Sequence, residues 1–206
     1  MSKLRVSSIK YGLLFLVVPL AGILYLNDRY VGSRVRAQAA EYGKPDIRVS
    51  ARFDYYVNPL VCVYDLQPVG PAASDADVWL FFLGVSERLI DRKYSRIDLR
   101  YCGDPRFQLD GDSYFKLGQS AKNWFAMPDN RLDLSLEKKL KMLSLKKEFL
   151  AAVKTSDGQP AFTLKISNDD AATLLFRSKS IEDAFIEFND RWHRTPVLTG
   201  TTEPKK

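Results

Sequence analysis

One charge-free apolar run, Tyr11 to Leu26, constrains this chain more than any other feature in it. It reads YGLLFLVVPLAGILYL, sixteen residues, preceded by Lys3, Arg5 and Lys10 and closed by Asn27, Asp28 and Arg29. As a helix it would rise about 24 Å, short of the roughly 30 Å hydrocarbon core of a bilayer. Lys10 can snorkel outward, and local thinning costs only fractions of a kcal/mol per Å. Tyr11 and Tyr25 stand near the two ends, where amphipathic rings favour the interface. Pro19 removes one helical hydrogen bond, which a membrane helix tolerates. The run therefore reads as a transmembrane anchor behind a basic tail, residues 1–10.

A cleaved signal peptide is the rival reading. The A-x-A site in reach is Ala37-Gln38-Ala39, eleven residues beyond Leu26, farther than a cleavage site normally lies. A buried helix of a soluble protein fits a charge-free run between bases less well. Orientation is closer to balance. Three bases plus the terminal amine precede the run, and Arg29, Arg34, Arg36 and Lys44 follow it. A basic tail leading into the first apolar segment favours a cytoplasmic N-terminus. The expected location is then a bacterial inner membrane, crossed once, with the remainder periplasmic.

The formal net charge of +6 invites a nucleic-acid reading, but its distribution argues against one. Residues 1–48 hold eight Lys/Arg and three Asp/Glu, and residues 49–206 hold 23 against 22. The basic excess lies around the anchor, where anionic headgroups attract it. No basic stripe with interleaved aromatics follows.

Two cysteines, Cys62 and Cys102, stand forty residues apart. In an oxidising compartment such a pair is expected to form a disulfide, worth about 3–4 kcal/mol in the chain-entropy account. The alternative is two small buried residues. Neither belongs to a C-x-x-C, and His193 is the only histidine, so zinc ligation and Cys–His catalysis lack partners.

The periodicities predict an α+β protein: an N-terminal transmembrane helix, a juxtamembrane stalk (27–45), one globular domain (46–195) with an antiparallel sheet and packed helices, and a tail (196–206). Helix is expected to continue through the stalk and stop at Gly43-Lys44-Pro45. Alternation of Ile47, Val49, Ala51 and Phe53 predicts a strand, and Leu60 to Leu66 a second, joined to it at Asn58-Pro59 as a hairpin. Ser74 offers a helix N-cap, with Asp75 and Asp77 in the first turn. Val78 to Lys93 then reads as helix, with a strand over Val78 to Val85 as the competitor. Ser95 to Cys102 alternates as a strand, Gly103-Asp104-Pro105 turns the chain, and Asp110-Gly111 signals a further hairpin. Residues 119–131 read as loop, with Trp124 and Phe125 tucked against the core.

Leu132 to Phe149 fits both periods. Five lysines within it (138, 139, 141, 146 and 147) read as a solvated face, with membrane contact the sharper alternative. Ser156 to Gln159 is a turn before a strand at Ala161 to Ile166. Asn168 or Asp169 can cap a short helix to Phe176. Ser180-Ile181-Glu182-Asp183 resembles a capping box for a final helix to about Arg194, with Ile181, Phe185 and Phe188 on its apolar face.

No constellation reaches a catalytic, cofactor or metal signature. Asp104, Asp110 and Asp112 are turn residues; Asp110-x-Asp112 lacks the remaining ligands of a calcium loop. Asp169-Asp170 are dipole partners at a helix start, as His193 is at a helix end. Gly103, Gly111 and Gly118 form no phosphate-binding loop. Trp79, Phe81 and Phe82 cover too wide an arc for one buried face. A helix sandwiched between two layers is the favoured account of them, with a partner-binding patch formed by some of the three as the alternative. The expected function is a membrane-anchored interaction or scaffold protein that presents its domain to a protein partner in the envelope, as in an accessory subunit of an assembly or secretion system. The second reading is a membrane-bound hydrolase of cell-wall glycans working through paired carboxylates.

Overall fold

Alternating burial along Val49–Asp54 (β1) puts Ala51 and Phe53 into the core and leaves Ser50 in solvent. The chain then reverses and pairs β1 antiparallel with Asn58–Leu66 (β2). The computed structural model describes residues 19–128, 132–163 and 178–194. Within them lie five strands in the order β1-β2-β3-β4-β5, with Arg96–Tyr101 as β3, Asp104–Asp110 as β4 and Lys154–Thr155 as β5. The helices are Ser33–Tyr42 (α1), Asp75–Arg88 (α2), Gly111–Phe125 (α3), Leu132–Ala152 (α4) and Ser178–Asn189 (α5). The fold is α+β, as the periodicities predict.

The sheet is mixed, which corrects the expectation of an antiparallel one: β2 and β3 run parallel. A parallel pair needs a crossover, and α2 supplies it. Ser74 caps α2 in a reciprocal capping box with Asp77, so helix wins over strand here. The β3–β4 turn is Cys102-Gly103, both at positive φ (52° and 85°) between the paired Tyr101 and Asp104, a two-residue hairpin that matches strand twist.

Asp110-Gly111 does not start another hairpin. Asp110 is the N-cap of α3, accepting a 2.9 Å hydrogen bond from Ser113 N–H. Gly111 is required there because a Cβ would lie 1.6 Å from the Tyr94 carbonyl oxygen. The segment expected as loop, 119–131, is therefore helical to Phe125. Trp124 is half-buried and stacks edge-on with the exposed Phe125. Leu132–Ala152 resolves to helix. The turn at 156–159 forms as expected, whereas 161–163 are not strand; the rest of that expected strand, and the helix expected from Asn168 or Asp169, lie outside the described residues. Ser180 lies inside α5 rather than capping it, since the helix already includes Ser178.

The helices lie on the sheet face that carries Cys62, Tyr64 and Leu66, and an aromatic cluster joins the layers. Phe82 meets Tyr64 (5.1 Å between centroids), Phe149 (5.7 Å) and Trp192 (5.9 Å). Trp79 meets Phe149 (4.9 Å) and Phe185 (5.0 Å). Such pairs add about 0.5–1.5 kcal/mol each beyond area burial. Trp79, Phe81 and Phe82 are all buried, so the proposed partner patch is corrected to core. Their wide arc has a physical reason: α2 has the sheet on one side and α1, α3, α4 and α5 on the others.

Residues 27–42 are also not a free stalk. Residues 19–27 are helical and run without a break through a π turn, Asp28–Gly32, into α1. Val31, Val35 and Gln38 of this stretch are buried. Gly43 ends the helix in the left-handed conformation (φ 65°), as the Gly43-Lys44-Pro45 signal predicts.

Candidate functional site

The junction at Asn27 divides the first helix into two regimes. On its C-terminal side the helix belongs to the domain. On its N-terminal side, Leu20 (57% exposed), Leu24, Tyr25 (61%) and Leu26 stand in solvent. Asn27 itself is buried, and its Oδ1 accepts a 2.7 Å hydrogen bond from Phe53 N–H. Arg36 forms a bidentate pair with Asp28 (2.7 and 2.8 Å), and Arg34 forms one with Asp91. The Arg36–Asp28 pair lies within the first helix, whereas Arg34, through Asp91 and the Arg88 carbonyl, ties that helix to the rest of the domain. Among the described residues no helix is long and apolar enough to cross a membrane; the described part of the expected anchor is 19–26.

Two open grooves are built from helices. The first, about 590 Å³, lies between α1, α2 and α3 and is lined by Gln38, Glu41, Glu87, Arg88, Lys122 and Phe125. Its floor is set by Gly84, where a Cβ would come within 2.1 Å of Gln38 Nε2. Arg88 crosses it, donating from Nε to Gln38 Oε1 (2.8 Å) and from its guanidinium to Glu41. Phe125 sits at the rim, 39% exposed.

The second groove, about 570 Å³, lies between α3, the end of α4 and β4–β5, and carries Asp110, Lys116, Glu148 and Lys154. Burial pushes the Asp110 carboxyl up. The Ser113 N–H and hydroxyl bonds and the Lys154 charge outweigh it, and the group stays below its ordinary value. Asp110 is thus held ionised by its capping role. Asp104 opens β4 and Asp112 sits in the first turn of α3, so the three aspartates are not gathered into one site. Asp169 and Asp170 lie outside the described residues. Among the described residues no group of three His, Cys, Asp or Glu could hold a metal ion.

His193 follows α5 in a π segment, Asp190–Arg194, with Nε2 3.5 Å from Asp75 Oδ1. Burial lowers its pKa, with Arg194 adding to the effect and Asp75 and Asp190 opposing it. Arg194 also binds Asp75 at 2.6 Å. Arg194 therefore fastens the segment after α5 to the start of α2, and His193 lies buried beside that pair with its Nε2 unbonded.

The expected disulfide between Cys62 and Cys102 is not formed, and both cysteines are free. Cys62 pairs in register with Ile97, and Leu66 with Tyr101, the residue before Cys102. Four strand residues span about 13 Å, while a disulfide needs Cα atoms within about 7 Å. Cys62 is buried in β2, and burial pushes its thiol up to about 12. Cys102 is exposed in the β3–β4 turn.

Sequence reasoning missed the first groove because its lining comes from three helices, one of which, α3, read as turn and loop. Compared with protein-family models, curated proteins and solved structures, the chain matches none.

Proposed function

We propose that this protein is a membrane-tethered interaction domain, held at a bacterial inner membrane by residues 11–26 and presenting residues 27–194 to a protein partner in the periplasm. The observation that carries this reading is the junction at Asn27. One continuous helix changes there from a segment with exposed leucines and tyrosine to a segment built into the core. A helix with an apolar, unburied end needs an apolar medium around that end, and the charge-free run continues in sequence toward Tyr11. The first groove, with Phe125 on a rim of mixed charge, offers the partner an aromatic anchor inside a polar border.

The hydrolase reading has less support. A glycosidase needs two carboxylates, one of them a protonated acid; of the two in the second groove, Asp110 and Glu148, Asp110 is committed as the cap of α3 and held below its ordinary value.

The test is fractionation of cells carrying the full chain, with a photo-crosslinking residue at Phe125. The chain is expected to stay with inner membranes through alkaline carbonate, and protease is expected to reach the domain only after the outer membrane is opened. One discrete protein adduct is expected from position 125, and none from the same probe at the exposed Lys179 of α5. Release by carbonate removes the anchor. Equal, diffuse labelling from both positions removes the groove as a partner site.

A further inference from the structure

Among the described residues outside the first helix, the β1–β2 turn gathers the most exposed large apolar side chains in one place. Tyr55 is 79% exposed and Val57 62%, with Tyr56 and Leu60 also in solvent. Tyr55 and Tyr56 both hold positive φ (47° and 63°), closed by a hydrogen bond from Val57 N–H to the Asp54 carbonyl. Asn and Gly are the residues that adopt this conformation readily. Two tyrosines are held here in a disfavoured backbone, Tyr55 with its ring displayed to solvent and Tyr56 exposed with Arg52 stacked on it.

The location of this turn gives it meaning. The first helix enters the domain at Asn27 and ends at Tyr42. After six intervening residues β1 runs back beside it, and Phe53 reaches Asn27 again. Strand and helix are therefore antiparallel neighbours. Tyr55 and Tyr56 follow in the turn that closes this end of β1, on the side from which residues 19–26 project.

The surroundings match a headgroup region. Arg52 stacks on Tyr56 (5.1 Å) and Arg92 on Tyr30 (4.6 Å) and Phe53 (4.8 Å), and Arg29 donates to the Tyr25 hydroxyl at 3.3 Å. Of the acidic groups on this side, Asp28 is paired with Arg36 and Asp91 with Arg34, and Asp54 is half-buried at the turn. Tyrosines with arginines behind them are what an anionic bilayer interface binds: rings at the acyl boundary and guanidinium groups at the phosphates.

We infer that the tip Tyr55-Tyr56-Val57 is a second membrane contact, inserted into the interface of an anionic bilayer beside the anchor helix. This rests on the anchor reading above. Together the two contacts fix the domain's rotation about the helix as well as its distance from the membrane.

The test is depth-dependent fluorescence quenching on the full chain in mixed phosphatidylcholine–phosphatidylglycerol vesicles, with nitroxide-bearing acyl chains as quencher. A nitrobenzoxadiazole label is placed at Val57→Cys or at Leu24→Cys, each in a Cys102→Ser background; Cys62 is buried and does not react. The natural Cys102, at the opposite end of the sheet from the tip, carries the label in a third sample. The expected result is loss of most emission at positions 57 and 24 and none at 102. Quenching at 24 with an aqueous, unquenched label at 57 overturns the inference and leaves the anchor standing. Quenching at neither overturns both. A blue-shifted but unquenched label at 57 means that protein, not lipid, covers the tip, and overturns the inference as well.

Discussion

Asn27 Oδ1 accepts the backbone N–H of Phe53 across a buried 2.7 Å contact. This single bond joins the helix to β1 where the chain leaves the core, and it satisfies an N–H that β1, an edge strand, turns away from β2. Asn27→Ala leaves the Phe53 N–H without an acceptor. The expected loss is about 1–3 kcal/mol, read as a lower denaturation midpoint, with faster amide exchange at Phe53. Unchanged exchange there would show that the bond contributes nothing.

Close helix approach through Gly84 gives a second prediction. Gly84→Ala forces its Cβ against the Gln38 amide, and overpacking of this kind costs about 1–3 kcal/mol. The obstacle is a flexible side chain, so Gln38→Ala combined with Gly84→Ala is expected to recover most of the loss. Gly111→Ala has no such rescue, because its obstacle is the Tyr94 backbone carbonyl. Additive losses in the Gly84–Gln38 cycle would deny the contact.

The single histidine sets a pH dependence of known sign. His193 has its folded-state pKa below the ordinary 6.5, mainly through burial. Above pH 6.5 it is neutral whether folded or unfolded, and its full contribution is present. As pH falls below 6.5 the unfolded chain takes up the proton first and stability drops, levelling only below the folded-state pKa. His193→Asn is expected to flatten this slope in urea titrations. The paired carboxylates Asp28, Asp77 and Asp91, lowered from 3.8, lose their contributions at more acid pH, so the two effects separate. A slope that survives the substitution would assign it elsewhere.

Thiol chemistry distinguishes the two cysteines. Cys102 is expected to react at once with an aromatic disulfide reagent in the native protein. Cys62, buried and with its thiol raised to about 12, is expected to react only on unfolding. A protein that gains no free thiol until it is reduced would reinstate the disulfide and require a different β2–β3 register.

Local patterns were legible where one element decides its own burial. Ala51 and Phe53, Ile97 and Leu99, and Ile181, Phe185 and Phe188 all point into the core as their periods predict. The helix stop at Gly43 and the capping residue Ser74 were equally plain. What failed needed partners distant in sequence. Asp110-Gly111 carries a hairpin signal, but the place beside β4 that a return strand would take is filled by β5 from far along the chain, and the same Asp serves as a helix cap. The arc of Trp79, Phe81 and Phe82 leaves a surface patch open beside the favoured sandwiched helix, and the sequence cannot name the four helices that cover it. Cys62 and Cys102 look like a pair until parallel strand register sets them at opposite ends. The groove around Phe125 was invisible because α1, α2 and α3 each contribute only a few of its residues.

The unbroken helix from residue 19 to Tyr42 has a mechanical consequence. A jointed tether would let the domain turn freely on its anchor, whereas a continuous helix transmits torque. Each residue of an α-helix advances the azimuth by about 100°, and each residue of the π turn by less, so the direction in which Phe125 and its groove face around the anchor axis is encoded in the number of residues between Leu26 and Val31. One inserted alanine there would leave every domain contact C-terminal to it intact and aim the groove at a different quarter of the membrane plane.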